Sequence, residues 1–164
     1  MNAKDAIQNA LTSTQHLLGW YISDLSDTDL LVRPVPGANH IAWQLGHLIL
    51  SEADLVRQQI PSAAYPELPA GFIERHKRDA AADESVKGYA TKDEYLQLFN
   101  QIRQATLTAL ANLADADLDK PTTGQIARFA PTVGALLILV SNHTLMHAGQ
   151  FTVVRRKLGK PVLF

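Results

Sequence analysis

Residues 133–158 read VGALLILVSNHTLMHAGQFTVVRRKL and begin with the most apolar stretch of the chain, Val133 to Val140. Along residues 133–158, apolar and histidine residues recur alternately three and four residues apart, which is the spacing of a seam between packed helices. The seam positions are Val133, Leu136, Val140, His143, His147, Gln150 and Val154. The pattern predicts one long helix that is capped by Thr132 and ends near Leu158, before Gly159 and Pro161.

Two histidines stand at seam positions where leucine or valine is expected. His143 and His147 are four residues apart, so on a helix they are rotated by roughly 40° and separated by a rise of roughly 6 Å, and both imidazoles leave the same face. A buried imidazole loses packing and needs a polar partner. The pair therefore predicts a metal site, for which the rest of the chain must supply a further ligand.

Three more helices are predicted upstream from apolar residues at helical spacing, at residues 3–25, 40–59 and 92–113. Asn2 is a suitable N-cap for the first, Asn39 for the second, and Thr91 with Glu94 forms a capping box for the third. Prolines and glycines interrupt the connections between them. Residues 61–90 form a long, irregular and mostly polar excursion, in which a short helix is predicted at 73–82. This excursion is expected to border the active site or a partner.

Four long helices without a convincing strand or an internal repeat predict an all-α, four-helix bundle, with up-down or crossover connections. The chain has 164 residues, 46% hydrophobic and 19% charged, which fits one folded domain over residues 1–164. The formal net charge is −1, and no basic stripe predicts nucleic acid as a partner. No segment looks like a signal peptide or a membrane span, so a cytoplasmic location is expected.

The absence of cysteine limits the chemistry. The chain has no cysteine and six histidines, which excludes disulfides, thiolate-bound zinc, iron–sulfur clusters and a cysteine nucleophile. A transition metal would have to be bound by histidine or carboxylate. His47 is the candidate third ligand, because it lies on an apolar stripe of the second helix with Trp43 and Leu50, and Gly46 beside it would allow a neighbouring helix to approach closely.

Four motifs make the chain similar to a known family: PGANHIAW at 36–43, LGHL at 45–48, NHTLMHAGQ at 142–150 and RRKLGKP at 155–161. Together they resemble the DinB/YfiT-like superfamily of metalloenzymes over almost the whole chain. The resemblance implies a divalent metal bound inside the bundle by His47, His143 and His147. It also implies a homodimer and, as in some members, a low-molecular-weight thiol such as mycothiol or bacillithiol as co-substrate.

Three neutral imidazoles would leave a divalent metal with at least one open position, as in catalytic zinc sites. Such a site is suited to metal-assisted hydrolysis or to thiol-dependent S-transfer on a small-molecule substrate, and the sequence leaves both open. Zinc is the first expectation, with nickel, iron, manganese or copper as alternatives. A non-catalytic metal-binding or stress-response bundle is the alternative function, and an interaction module whose core histidines bind no metal is a third.

Other polar residues have open roles at this point. His40 is predicted to cap the second helix or to line the mouth of the site, whereas His16 and His76 are expected to be solvated. Gln150 is expected either to form a hydrogen bond near the site or to be an ordinary packed residue. Asp54 either orients a ligand or meets solvent. Catalytic residues other than the metal ligands are not assigned.

Overall fold

The computed structural model describes residues 1–83 and 85–163. Within them lie five α-helices and no β-strand, the only β-type pairing there being an isolated bridge between Pro121 and Thr132. The helices are α1 (Ala3–Ile22), α2 (Ile41–Gln59), α3 (Phe72–His76), α4 (Lys92–Asn112) and α5 (Val133–Lys157). The four long helices confirm the predicted bundle, and α3 is a short addition within the excursion.

The helix ends differ slightly from the prediction. Helix α1 ends at Ile22 rather than at residue 25, because the backbone N–H and the hydroxyl of Ser23 both bond the carbonyl of Trp20. The predicted helix at 73–82 is divided into α3 and a 3₁₀ turn at Arg78–Ala82, with extended backbone at Lys77 between them. The capping boxes at the starts of α1 and α4 are present.

Each long helix has two main neighbours in the bundle. Helix α1 packs against α5 and α4, and α2 packs against α4 and α5, so that α1 and α2 lie on one diagonal. Helix α1 runs parallel to α5: Ser141 bonds the carbonyl of Ala10, and fourteen residues later Arg155 bonds that of Tyr21. Consecutive long helices are therefore not always neighbours in space.

Helix α4 runs antiparallel to α1. Near the start of α1, Lys4 donates to the carbonyl of Ala111 in the last turn of α4, and at the other end Lys92 donates to that of Ser23. Helix α2 is in turn antiparallel to α5, so the four helices point up, down, down and up in chain order. Because α2 and α4 are parallel neighbours, the chain must return along the bundle between them, and residues 60–91 provide this crossover.

A buried ion pair joins the helices at mid-height. Arg103 on α4 and Glu52 on α2 are 0% and 3% exposed, and the guanidinium donates to both carboxylate oxygens, with Nε–Oε1 at 2.9 Å and Nη2–Oε2 at 2.8 Å. The remaining guanidinium N–H groups donate to the Leu11 carbonyl and the Thr14 hydroxyl of α1 and to the Thr144 hydroxyl of α5. One guanidinium from α4 thus contacts the other three long helices.

This polar layer separates two hydrophobic clusters. One contains buried residues from the end of α1, the start of α2 and the end of α5, and the other contains residues from the opposite end of each helix. The hydroxyl of Thr106 donates to Glu52 at 2.7 Å and lies 2.9 Å from that of Tyr65 in the excursion. Every charge in the layer is therefore matched by hydrogen bonds, as a buried ion pair requires.

Helix α2 is capped by His40, one of the two roles predicted for that residue, and not by Asn39. The Nδ1 of His40 accepts a hydrogen bond from the backbone N–H of Trp43 at 3.1 Å. The His40 ring is 1% exposed and packs edge-on against Tyr89. Burial, assisted by the positive charge of Arg33 and by His76, lowers the pKa of His40 to about 4.

No helix in the described residues is long and apolar enough to cross a membrane.

Replacing Glu52 by glutamine tests the buried pair. The substitution keeps the side-chain shape but leaves a buried guanidinium without its counter-charge, so we expect the free energy of unfolding to fall by about 3–5 kcal/mol in urea denaturation. Lys120→Gln is the control, because Lys120 is 68% exposed in its pair with Asp117 and should cost less than about 1 kcal/mol. Equal losses in the two variants would contradict the central role of the pair.

Replacing His40 by asparagine tests the buried cap. In the unfolded chain His40 titrates near its ordinary pKa of 6.5, whereas the folded protein excludes the proton down to about pH 4. The free energy of unfolding should therefore fall as the pH drops from about 6.5 toward 4. His40→Asn keeps a capping acceptor and should remove roughly 2 kcal/mol of this loss between pH 7 and 5.

The measurement is urea denaturation of metal-free wild type and His40→Asn at pH 7 and pH 5. The readout is the difference in the free energy of unfolding between pH 7 and pH 5, because lost packing of the imidazole changes this free energy equally at both pH values. An unchanged pH dependence in the variant would show that His40 is not the buried titrating group we describe.

Candidate metal centre

Three histidines meet where α2 and α5 face each other. His47 comes from α2, and His143 and His147 come from successive turns of α5, and one ring nitrogen from each lies within 4.8 Å of those of the other two. Among the described residues no other group of three or more histidines and carboxylates is arranged as a metal site. The folded chain thus brings together the three residues that the sequence singled out.

The two histidines of α5 already have a spacing suited to one ion. Their Nε2 atoms are 3.2 Å apart and their ring centroids 4.8 Å. Two nitrogens bound at about 2.1 Å to a tetrahedral ion lie roughly 3.4 Å apart. The ring of His47 completes the cluster, with its centroid 5.3 Å from that of His143 and 5.4 Å from that of His147.

Gln44 fixes the tautomer of His147. Its amide N–H donates to the carbonyl of Asn39 at 2.9 Å, which turns its Oε1 toward His147 Nδ1 at 2.8 Å. The Nδ1 of His147 must then donate, so its Nε2 carries a free lone pair directed into the cluster. Gln44 is 1% exposed. It was not among the predicted site residues, although a glutamine three residues before His47 on an apolar helix was a usable signal.

Trp43 and Ser51 surround His47 on α2. The indole of Trp43 stacks on the imidazole with centroids 4.9 Å apart and planes 8° apart, and this packing sets the ring plane. The Ser51 hydroxyl lies 3.4 Å from His47 Nε2. The indole N–H of Trp43 and the Nε2 of His40 are buried and have no hydrogen-bond partner among the described residues, and such donors call for a water molecule or a ligand.

The cluster favours neutral imidazoles. Burial, assisted by the neighbouring histidines, lowers the pKa of His47 to about 4 and that of His147 to about 3. Burial also lowers the pKa of His143. Neutral imidazole is the form that binds a metal ion, so near pH 7 this donor set needs no deprotonation to do so.

Three polar residues that are close in sequence to the clustered histidines lie away from the cluster. Glu52 is turned to the opposite face of α2 and bonded to Arg103, and Asp54 is exposed. Gln150 is exposed too, although the three-four spacing placed it on the seam. The prediction for Gln150 was wrong because α5 is buried along a narrower stripe beyond His147, where Ala148, Phe151 and Val154 fill the interior.

The prediction for His76 was also wrong, while His16 is exposed as expected. His76 is 2% exposed, donates from Nδ1 to the Phe72 carbonyl at 2.8 Å and accepts at Nε2 from the Tyr95 hydroxyl at 2.7 Å. Its ring lies against Gly46, where any Cβ would overlap it. The polar composition of the excursion concealed this contact, which only the fold of residues 72–76 onto α2 creates.

Comparisons with known proteins support the fold. A conserved protein from Enterococcus faecalis superposes with a TM-score of 0.71 at 14% identity, covering 98% of this chain and 99% of the other. YfiT from Bacillus subtilis superposes with a TM-score of 0.69 at 15% identity, covering 96% and 89%. YfiT is described as a probable metal-dependent hydrolase with an unusual four-helix bundle topology. A search of curated proteins finds no match.

The sequence itself also matches a family model. The model is that of the DinB superfamily, and the match runs from residue 10 to residue 151, which includes most of α1, all of α2 and α4, and the three clustered histidines of α2 and α5. The chain therefore belongs to the DinB superfamily.

Proposed function

We propose that this protein is a divalent-metal-dependent enzyme whose metal is bound by His47, His143 and His147. The observation that carries the proposal is the convergence of one ring nitrogen from each histidine within 4.8 Å. We propose zinc as the first candidate metal, with nickel, iron and manganese as alternatives, because an all-imidazole donor set accepts each of them. The substrate is proposed to be a small molecule.

The side chains around the cluster suit a bound ion. Gln44 holds His147 with Nε2 inward, Trp43 fixes the plane of His47, and burial keeps the imidazoles neutral. Three histidines without a fourth protein ligand are the donor set of catalytic rather than structural zinc sites. When bound, such an ion supplies Lewis-acid chemistry that acidifies a water molecule or a thiol.

The chain's own polar groups define the rest of the proposed site. Glu52 is the carboxylate nearest to His47 in sequence, but its bonds to Arg103 and Thr106 leave it unsuited to act as a general base. The unpaired indole N–H of Trp43 is a hydrogen-bond donor for a substrate oxygen, since its ring lies against His47. The Ser51 hydroxyl is a second polar group beside the cluster.

Hydrolysis is the reaction that we propose first. YfiT, which shares the fold, is described as a probable metal-dependent hydrolase, and hydrolysis needs no co-substrate other than water. Thiol-dependent S-transfer is the second candidate. Since the chain has no cysteine, the thiol would have to be a separate low-molecular-weight molecule.

We further propose that the protein is a homodimer in the cytoplasm. What supports the dimer is an exposed apolar stripe on α5, on the side opposite the core. Its members are Ile138, Leu145, Met146 and Val153, each between 43% and 62% exposed. A helix that is apolar on its outer face as well as its inner one is typical of packing on both sides.

Metal content is the first test of the site. We expect about one metal ion per chain in protein purified without a histidine tag or chelator, and its loss in His143→Ala because two imidazoles bind an ion far more weakly than three. His16→Gln, which removes an exposed histidine, should keep the metal. No metal in the wild type after incubation with zinc, nickel, iron and manganese would overturn the proposal.

Replacing Gln44 by leucine tests the orientation of His147. The metal should remain, but its dissociation constant, measured by competition with a chromogenic chelator, should rise by roughly 10–100-fold. Leucine preserves the volume of the side chain while removing the acceptor for Nδ1. An unchanged dissociation constant would mean that Gln44 does not orient this ligand.

Activity assays distinguish the catalytic hypothesis from the non-catalytic alternative. Chromogenic esters and amides test hydrolysis, and an aryl halide with small thiols tests S-transfer. Turnover that requires the metal and disappears in His147→Ala, while the variant stays folded, would establish catalysis. A different result would support the non-catalytic alternative. In that case no turnover occurs, and metal removal only lowers the melting temperature, by several degrees, because the metal is structural.

The dimer is tested by sedimentation of Met146→Glu. A carboxylate at the centre of the apolar stripe should convert the dimer to monomer, because burying an unpaired charge in an interface is costly. Ile73→Glu is the matched control, since Ile73 is 54% exposed on α3, away from α5. A wild-type protein that is monomeric at every concentration would refute the dimer.

A further inference from the structure

A cavity of about 620 Å³ lies between α3, the start of α4 and the loop at 88–90. None of the three clustered histidines lines it. Its volume is within the range of small-molecule sites. The proposed metal chemistry makes no use of it, so it needs its own explanation.

The inner wall of this cavity is aromatic and preorganised. Phe72, His76, Tyr89 and Tyr95 line it, and the ring centroids of Phe72 and His76 are 4.2 Å apart. The imidazole of His76 is held at both nitrogens, by the Phe72 carbonyl and the Tyr95 hydroxyl. Phe72, His76 and Tyr95 are buried and Tyr89 is partly exposed. Tyr89 therefore presents the main ring surface of this wall, against which a planar apolar group can pack.

A single cation stands at the edge of this wall. The guanidinium of Arg75 is 5.2 Å from the ring centroid of Tyr89 and lies close over Gly88, where a Cβ would come within 3.1 Å of Nη2. Within residues 1–83 and 85–163 no carboxylate forms an ion pair with Arg75. A guanidinium positioned by an aromatic ring presents a planar fork that matches a carboxylate.

Two glutamates also line the cavity, and among the described residues neither forms an ion pair with Arg75. Glu94 accepts from the backbone N–H of Thr91 at 2.7 Å and from its hydroxyl at 2.8 Å in the capping box of α4. These bonds lower the pKa of Glu94 and keep its charge at the helix start. Glu67 is exposed. Among the described residues that line the cavity, Arg75 is the one cation.

We propose that this cavity binds a small aromatic carboxylate, with its ring against Tyr89 and its carboxylate on Arg75. The site does not depend on the metal centre and does not rest on the proposed enzymatic function. It is separated from that centre by the ring of His76, which packs on Gly46, the residue before His47.

The test uses 3-phenylpropanoate as the probe and the metal-free chain of 164 residues, so that the carboxylate cannot bind a metal instead. Titration calorimetry should give a dissociation constant on the order of 1 mM, as expected for a ligand of this size. The amine of matched shape, 2-phenylethylamine, and the neutral 3-phenylpropanamide should bind at least about tenfold more weakly. Absence of carboxylate binding up to roughly 20 mM, or equal binding of the amine, would overturn the proposal.

Variants locate the site. Arg75→Gln should weaken binding of the carboxylate by about tenfold or more, and Arg75→Lys by less, because lysine keeps the charge but loses the fork. Lys77→Gln is the control, since Lys77 is exposed and does not line the cavity. Amide shifts in NMR spectra should centre on residues 88–90 and 95–98. Shifts centred on His143 and His147, or an unchanged affinity in Arg75→Gln, would refute this assignment.

Discussion

The guanidinium of Arg103 imposes the main constraint on this bundle, because a fully buried charge needs a hydrogen-bond acceptor for each of its N–H groups in the same arrangement of helices. It obtains a carboxylate from α2, a carbonyl and a hydroxyl from α1 and a hydroxyl from α5. Sliding any helix by one turn would leave at least one of these groups unsatisfied, at a cost of about 1–3 kcal/mol or more. The pair therefore fixes the relative heights of helices whose apolar surfaces would tolerate other registers.

The same register aligns the candidate metal centre. Thr144 binds Arg103, and its neighbour His143 faces the other way, toward α2. Likewise Glu52 points to the ion pair, while His47, five residues earlier, points to α5. The up-down-down-up order makes α2 and α5 antiparallel neighbours, so that one helix pair provides all three imidazoles. Core stability and the candidate site consequently depend on one alignment.

The excursion between α2 and α4 contributes more than a connection. A crossover is required by the parallel arrangement of α2 and α4, and this one folds α3 onto Gly46. Through His76 it forms the boundary between the histidine cluster on one side and the aromatic cavity on the other. Its sequence is polar, yet Phe72 and His76 are buried. The residues least regular in sequence thus shape the surroundings of both sites.

The sequence by itself determined the four long helices, their caps at Asn2, Thr91 and Thr132, and the candidate trio His47, His143 and His147, because periodicity and capping are local properties of the chain. The tertiary structure alone decided what depends on contacts between distant segments. The Arg103–Glu52 pair, the support of His147 by Gln44 and the burial of His76 all join residues from different helices. No local pattern distinguishes a buried arginine or glutamine from a solvated one, because the desolvation cost of burial is offset only by a hydrogen-bond partner from another helix.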